Sequence, residues 1–89
     1  NDVGLPPDVD ELESLEKKIK KMTAKLIEQG LNTTIPEFLI DSDNRLNKLW
    51  ELCIYTPMDL ETKNYIINQN DIFKRYEILN NYVDSVLNA

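Results

Sequence analysis

The chain contains no histidine, one cysteine (Cys53) and only two glycines. A single thiol cannot close an internal disulfide, and without histidine no Cys/His metal site can be assembled. Both absences fit a reducing compartment. Basic residues are also scarce, 10 against 16 acidic ones, for a net charge of −6. Nucleic-acid binding runs on phosphate neutralisation, so this balance argues against it. It favours a protein partner with a basic face, through faster and more selective encounter. No signal peptide and no apolar run of membrane length is visible, so a membrane is reached only indirectly. No metal, cofactor or catalytic constellation suggests itself, and the chain does not read as an enzyme. The run Asp41-Ser42-Asp43-Asn44 has the look of a calcium loop, but Leu46 stands where the glycine is required and Leu52 where the closing acid belongs.

What is present is ordinary for a globular chain: 89 residues, 42% apolar and 29% charged. That is one domain with one modest core. Residues 1–7, with Pro6-Pro7 at their end, read as a disordered tail or linker. Asp8 with Glu11 forms a capping-box pattern that opens a helix over 8–29. Leu12, Leu15, Ile19, Met22 and Leu26 then recur at the spacing of a bundle seam. Acids crowd the start of this helix and lysines its second half, complementing the helix dipole. Gly30 is its left-handed cap.

A second helix is expected over 34–55, with Thr34, Pro36 and Glu37 at its start. Ile35, Leu39, Leu46, Trp50, Cys53 and Ile54 share one face across the polar run at 41–44. Trp50 is expected in the core, where truncation to alanine costs roughly 3–5 kcal/mol. Cys53, with no basic neighbour in sequence, reads as a buried structural thiol. A third helix is expected over 57–87, roughly 45 Å at ~1.5 Å per residue. Met58, Thr62, Tyr65, Gln69, Ile72, Tyr76, Leu79, Val83 and Val86 keep one register through Asn68–Asp71. Short connections force antiparallel neighbours. The expected fold is all-α: an antiparallel up-down-up three-helix bundle with a long third helix.

Apolar residues off the seams carry the functional signal. Leu60, Ile67 and Ile78 lie on another meridian of the third helix, and Ile27 sits beside the first helix's stripe. An apolar strip rimmed by acids such as Asp71 is a normal recipe for a protein-binding patch, although a three-helix bundle also needs a wide apolar face. The lysines between Lys17 and Lys25 read as a solvated helix face.

Residues 66–76, Ile-Ile-Asn-Gln-Asn-Asp-Ile-Phe-Lys-Arg-Tyr, resemble the third-helix pattern of the GAT domain of the GGA and target-of-Myb adaptor proteins. Leu39, Leu46, Trp50, Cys53 and Ile54 resemble that family's second helix, and Met22–Ile27 the end of its first. The asparagine-rich composition is similar to that of a divergent fungal member of the LAS seventeen-binding type. The resemblance implies a weakly ubiquitin-binding trafficking adaptor module, cytoplasmic and peripheral to endosome, Golgi or cell cortex. It also implies Arf-family GTPases or other trafficking and actin-regulating proteins as further partners. Carried over, the partner-binding residues are Met22, Leu26, Ile27, Ile35, Phe38, Ile67 and Asp71. Lys63 departs from the pattern where an apolar residue is expected, and Phe38 where an acid is. The alternative reading is a helical oligomerisation or scaffold domain that does not bind ubiquitin.

Overall fold

A computed structural model describes residues 2–89. Within them the chain is all-α, with four helices: α1 (Val9–Glu28), α2 (Arg45–Tyr55), α3 (Leu60–Ile67) and α4 (Ile72–Leu87). Helix α1 packs against α2 and α4, and α3 bridges α2 to α4. The longest dimension is 37 Å.

Helix α1 follows its local signals closely. The Asp8 carboxylate accepts from Glu11 N at 2.8 Å, and Glu11 Oε1 accepts from Asp8 N at 3.3 Å, closing the capping box. At the other end Gly30 takes φ +106°, which lets Gly30 N reach Ile27 O and Leu31 N reach Leu26 O. These two bonds satisfy carbonyls that the last turn leaves open. Leu12, Leu15, Ile19 and Met22 are buried along the expected seam, with Leu26 half-buried beside them. The lysines are less free than a solvated face implies. Lys18 Nζ bonds Asn80 and Asp84 on α4, Lys25 Nζ bonds Val86 O, and Lys20 Nζ pairs with Glu37 at 3.0 Å.

The expected helix over 34–55 forms only in its second half. Residues 31–40 have no regular structure, and the helix starts at Arg45. Two local effects account for this. Pro36 disfavours helical backbone at Ile35. The Asp41 carboxylate then accepts from both Asp43 N and Asn44 N, while Asn44 Oδ1 accepts from Asp41 N. Short polar side chains thus take the amides a helix needs. Phe38 pins the irregular segment down. It is buried, its amide donates to Glu16 Oε2, and its ring packs 6.2 Å from that of Tyr55.

Helix α2 buries Leu49, Leu52 and Cys53, with Thr56 just beyond it donating to Leu52 O. That face is rotated from the expected one. Leu46 (46% exposed), Trp50 (39%) and Ile54 (38%) are left on the outside, so Trp50 is not a fully buried core residue.

The expected 57–87 helix is two helices. Thr56 and Pro57 end α2, Asp59 caps α3 by accepting from Thr62 N, and the chain breaks at Asn68–Asp71 before Asp71 caps α4 by accepting from Lys74 N. That carboxylate-for-amide exchange is worth ~1 kcal/mol at a typical N-cap, enough to favour restarting the helix there. The break also changes the phase. Ile72, Leu79 and Val83 are buried as expected, but in α3 the buried residue is Ile66, and Tyr65 is exposed.

Residues 1–7 are expected to be a disordered tail or linker; Asn1 lies outside the described residues, and 2–7 run as an ordered strap. Val3 N donates to Asn70 O and Val3 O accepts from Ile72 N, both at 2.8 Å. This is the one extended pairing among the described residues. Pro7 is fully buried, and its carbonyl accepts from Arg45 Nη1 at 3.2 Å. The strap therefore supplies an acceptor to an amide of α4's first turn that the helix itself leaves open.

Candidate functional site

The outward face of α2 presents Leu46, Trp50 and Ile54 at successive spacings of four, a single row along the helix. Beside it a cavity of about 220 Å³ is lined by Asp2, Leu46, Asn47, Trp50 and Arg75. Three parts of the chain line it: the strap, α2 and α4.

Arg75 is the unusual member. It stands one turn after Ile72 and one before Leu79, on the buried side of α4, and is only 3% exposed. A buried guanidinium is costly unless paired and hydrogen-bonded. Arg75 Nη2 donates to Gln69 O at 2.6 Å and to Asp2 Oδ1 at 3.3 Å. Its Cζ lies 4.8 Å from the centroid of the Trp50 ring, a cation–π arrangement. The Nε atom, however, is buried with no hydrogen-bond partner. Nε and Nη2 share the edge of a guanidinium that grips a carboxylate with two parallel bonds. Asp2 engages one of the two positions, at a long distance.

Gly4 lets the strap pass over this region. Its φ is +82°, and a Cβ there would lie 3.1 Å from Asp71 Oδ1, the atom that caps α4. Any L side chain at position 4 is therefore both strained and crowded.

The residues expected to bind a partner do not form one surface. Met22 and Phe38 are buried core residues, because α1 turns its seam and the 31–40 segment turns its aromatic anchor inward. Leu26, Ile27 and Ile67 are half-buried, and Ile35 is exposed in the irregular segment. Asp71 is exposed, but its carboxylate caps α4 and its backbone neighbours pair with Val3. None of the seven lines the Trp50–Arg75 cavity. Sequence reasoning missed Asp2 and Arg75. Arg75 carried a legible signal, a charge in phase with the Ile72–Leu79–Val83 seam; Asp2 carried none.

A second, larger cavity of about 480 Å³ lies between Lys18, Lys21 and Lys25 of α1 and Asp84, Leu87 and Asn88 of α4. Lys18 and Lys25 are already bonded across it, so it holds the two helices together.

Cys53 is buried, as expected. Burial pushes its thiol up to about 12, against a smaller opposite pull from Arg75 and Lys63. Such a thiol is not a nucleophile near neutral pH. Among the described residues no group of three or more His, Cys, Asp or Glu side chains is placed to hold a metal ion. No described helix is long and apolar enough to cross a membrane. Comparison with protein-family models, with curated proteins and with solved structures yields no match.

Proposed function

We propose that the chain is a non-catalytic protein-interaction module that docks its partner on the outward face of α2. The observation that carries this is the row Leu46, Trp50 and Ile54, three large apolar side chains left partly open to solvent on one helix face. Leu49, Leu52 and Cys53 already fill the core side, so the row is surplus to the packing of α2. Surplus apolar surface of this kind marks interaction sites in soluble proteins.

The charge balance of −6 suits a partner that is apolar at its centre and basic around it. Ubiquitin has that character, and the resemblance of residues 66–76 to a GAT-domain third helix makes it the partner to test first. In this reading α3 and α4 are one interrupted third helix, and α1, α2 and that pair form the up-down-up bundle of an endosomal or Golgi adaptor. Arf-family GTPases belong to the same reading as further partners.

The test is a titration of isotope-labelled domain with ubiquitin, followed by amide shifts. Shifts centred on Leu46–Ile54 are expected. Absence of shifts at millimolar ubiquitin removes ubiquitin as the partner. Shifts confined to Ile27, Ile35, Ile67 and Asp71 move the docking surface off α2. An oligomerisation module, the competing reading, requires a concentration-dependent dimer in sedimentation; a monomer throughout eliminates it.

A further inference from the structure

We propose, building on α2 as the interaction face, that the Trp50–Arg75 pocket recognises a carboxylate on an extended segment of a partner protein. The strap residues Asp2–Leu5 hold the place of that segment while the partner is absent.

Three observations converge on this. The first is the guanidinium. Arg75 is buried, stacked on Trp50 and bonded through Nη2, yet its Nε has no partner. An incoming Asp or Glu carboxylate that spans Nε and Nη2 satisfies both positions, where Asp2 reaches one at 3.3 Å. The second is the backbone. Val3 gives its N–H to Asn70 and takes the N–H of Ile72, so the 68–72 turn presents one free acceptor and one free donor whenever the strap leaves. An extended peptide restores both bonds in the manner of strand addition. The third is the apolar wall. Leu46 and Trp50 line the same cavity and are partly open, which suits an apolar side chain near the carboxylate. The recognised pattern is therefore that of the strap itself: an acidic residue next to an apolar one, in extended conformation.

The strap is built to leave. Asp2 is half-exposed, its bond to Arg75 is long, and Val3 and Leu5 turn much of their apolar surface to solvent. Its two backbone bonds at Val3 are the ones an extended peptide would replace, while Pro7, buried and held by Arg45, anchors the strap independently of them. Opening at residues 2–5 thus leaves α1 and the core in place.

The experiment uses the full chain and two capped peptides, Asp-Val-Gly-Leu and Asn-Val-Gly-Leu, read by the fluorescence of Trp50 (the only tryptophan) and by amide shifts. The Asp peptide is expected to move signals of Asn47, Trp50, Ile72 and Arg75 and to bind at least tenfold more tightly than the Asn peptide. Asp2→Asn, which loosens the internal competitor, is expected to tighten Asp-peptide binding at least fivefold, and Gly4→Ala to act in the same direction. Arg75→Lys keeps the charge but removes the two-point edge, and should weaken binding tenfold or more. If that variant fails to fold by circular dichroism, the comparison of the two peptides decides instead. Equal binding of both peptides, or no shift at millimolar Asp peptide, overturns the proposal. Ubiquitin-induced shifts on α2 without peptide binding overturn it too, while leaving the α2 row standing as an interaction face. A wild-type dimer that the Asp peptide dissociates assigns the pocket to a second copy of this chain and overturns a foreign partner.

Discussion

The orientation of α2 can be tested by truncating three of its residues in turn. Leu49 is fully buried in the hydrophobic core, and Leu49→Ala removes its transfer energy and leaves a cavity. Substitutions of that kind cost about 2–5 kcal/mol. Leu46, three residues earlier, is nearly half exposed, so Leu46→Ala loses only about half of the ~1.5–3 kcal/mol of a fully buried side chain, or about 1 kcal/mol. Trp50 falls between them. Its partial burial and its stacking under Arg75, the latter worth ~0.5–1 kcal/mol, make about 2 kcal/mol a reasonable expectation for Trp50→Ala. A domain of 89 residues has a total stability of about 4–13 kcal/mol, so Leu49→Ala consumes a large share of it. At ~4–8 °C per kcal/mol for a chain of this size, a loss of 3 kcal/mol lowers Tm by about 12–24 °C. Urea unfolding followed at 222 nm, with calorimetry to check two-state behaviour, measures all three. If Leu46→Ala or Trp50→Ala proves costlier than Leu49→Ala, the inward face of α2 is wrongly placed and the interaction row with it.

Three further outcomes are expected. Cys53 should resist thiol reagents at pH 8 in the folded chain and react fully in urea. Its folded pKa, about 12, lies above the ~8.5 of an exposed thiol, so the folded state holds its proton where the unfolded state releases it. Stability contributed by the neutral thiol is therefore complete below about pH 8.5 and declines towards pH 12, by roughly 2 kcal/mol at pH 10; the loss should be absent in Cys53→Ala and so appear in the difference between the two proteins. Hydrogen exchange should show the amides of Val3 and Ile72 protected together, since their two bonds form one bridge; free exchange at both would make residues 2–5 a tail after all. Asp71→Ala removes the α4 cap and should cost ~1 kcal/mol by urea unfolding, with faster exchange at Lys74.

The parts of the fold legible in the sequence are those set by neighbours a few residues apart. The capping box at Asp8–Glu11, the glycine cap at Gly30 and the Leu12–Met22 seam are all local, and α1 appears where they indicate. The helices failed where two local signals compete. Across 34–44 the apolar spacing pointed to a helix, while Pro36 and the Asp41 and Asn44 side chains offered the backbone other hydrogen bonds and won. At Asn68–Asp71 the apolar register ran on unbroken, yet the Asp71 cap and the strap's bridge made a restart more favourable. The candidate site was legible only in pieces. Trp50 stands out in the sequence, but a helix with apolar residues on nearly every side does not say which side is covered.

By itself, the sequence determined an all-helical chain of acidic balance, the position and caps of α1, and the burial of Cys53. These follow from periodicity, composition and short-range hydrogen bonds. Which way α2 faces was decided by tertiary structure, because Leu49 and Leu52 join the shared core only once α2 has packed against α1 and α3. The strap was decided there too: Asp2 and Arg75 lie 73 residues apart, and no local rule brings a carboxylate and a guanidinium together over that distance. The pocket with its unpaired Nε exists because the closure of the chain leaves one buried charge incompletely answered.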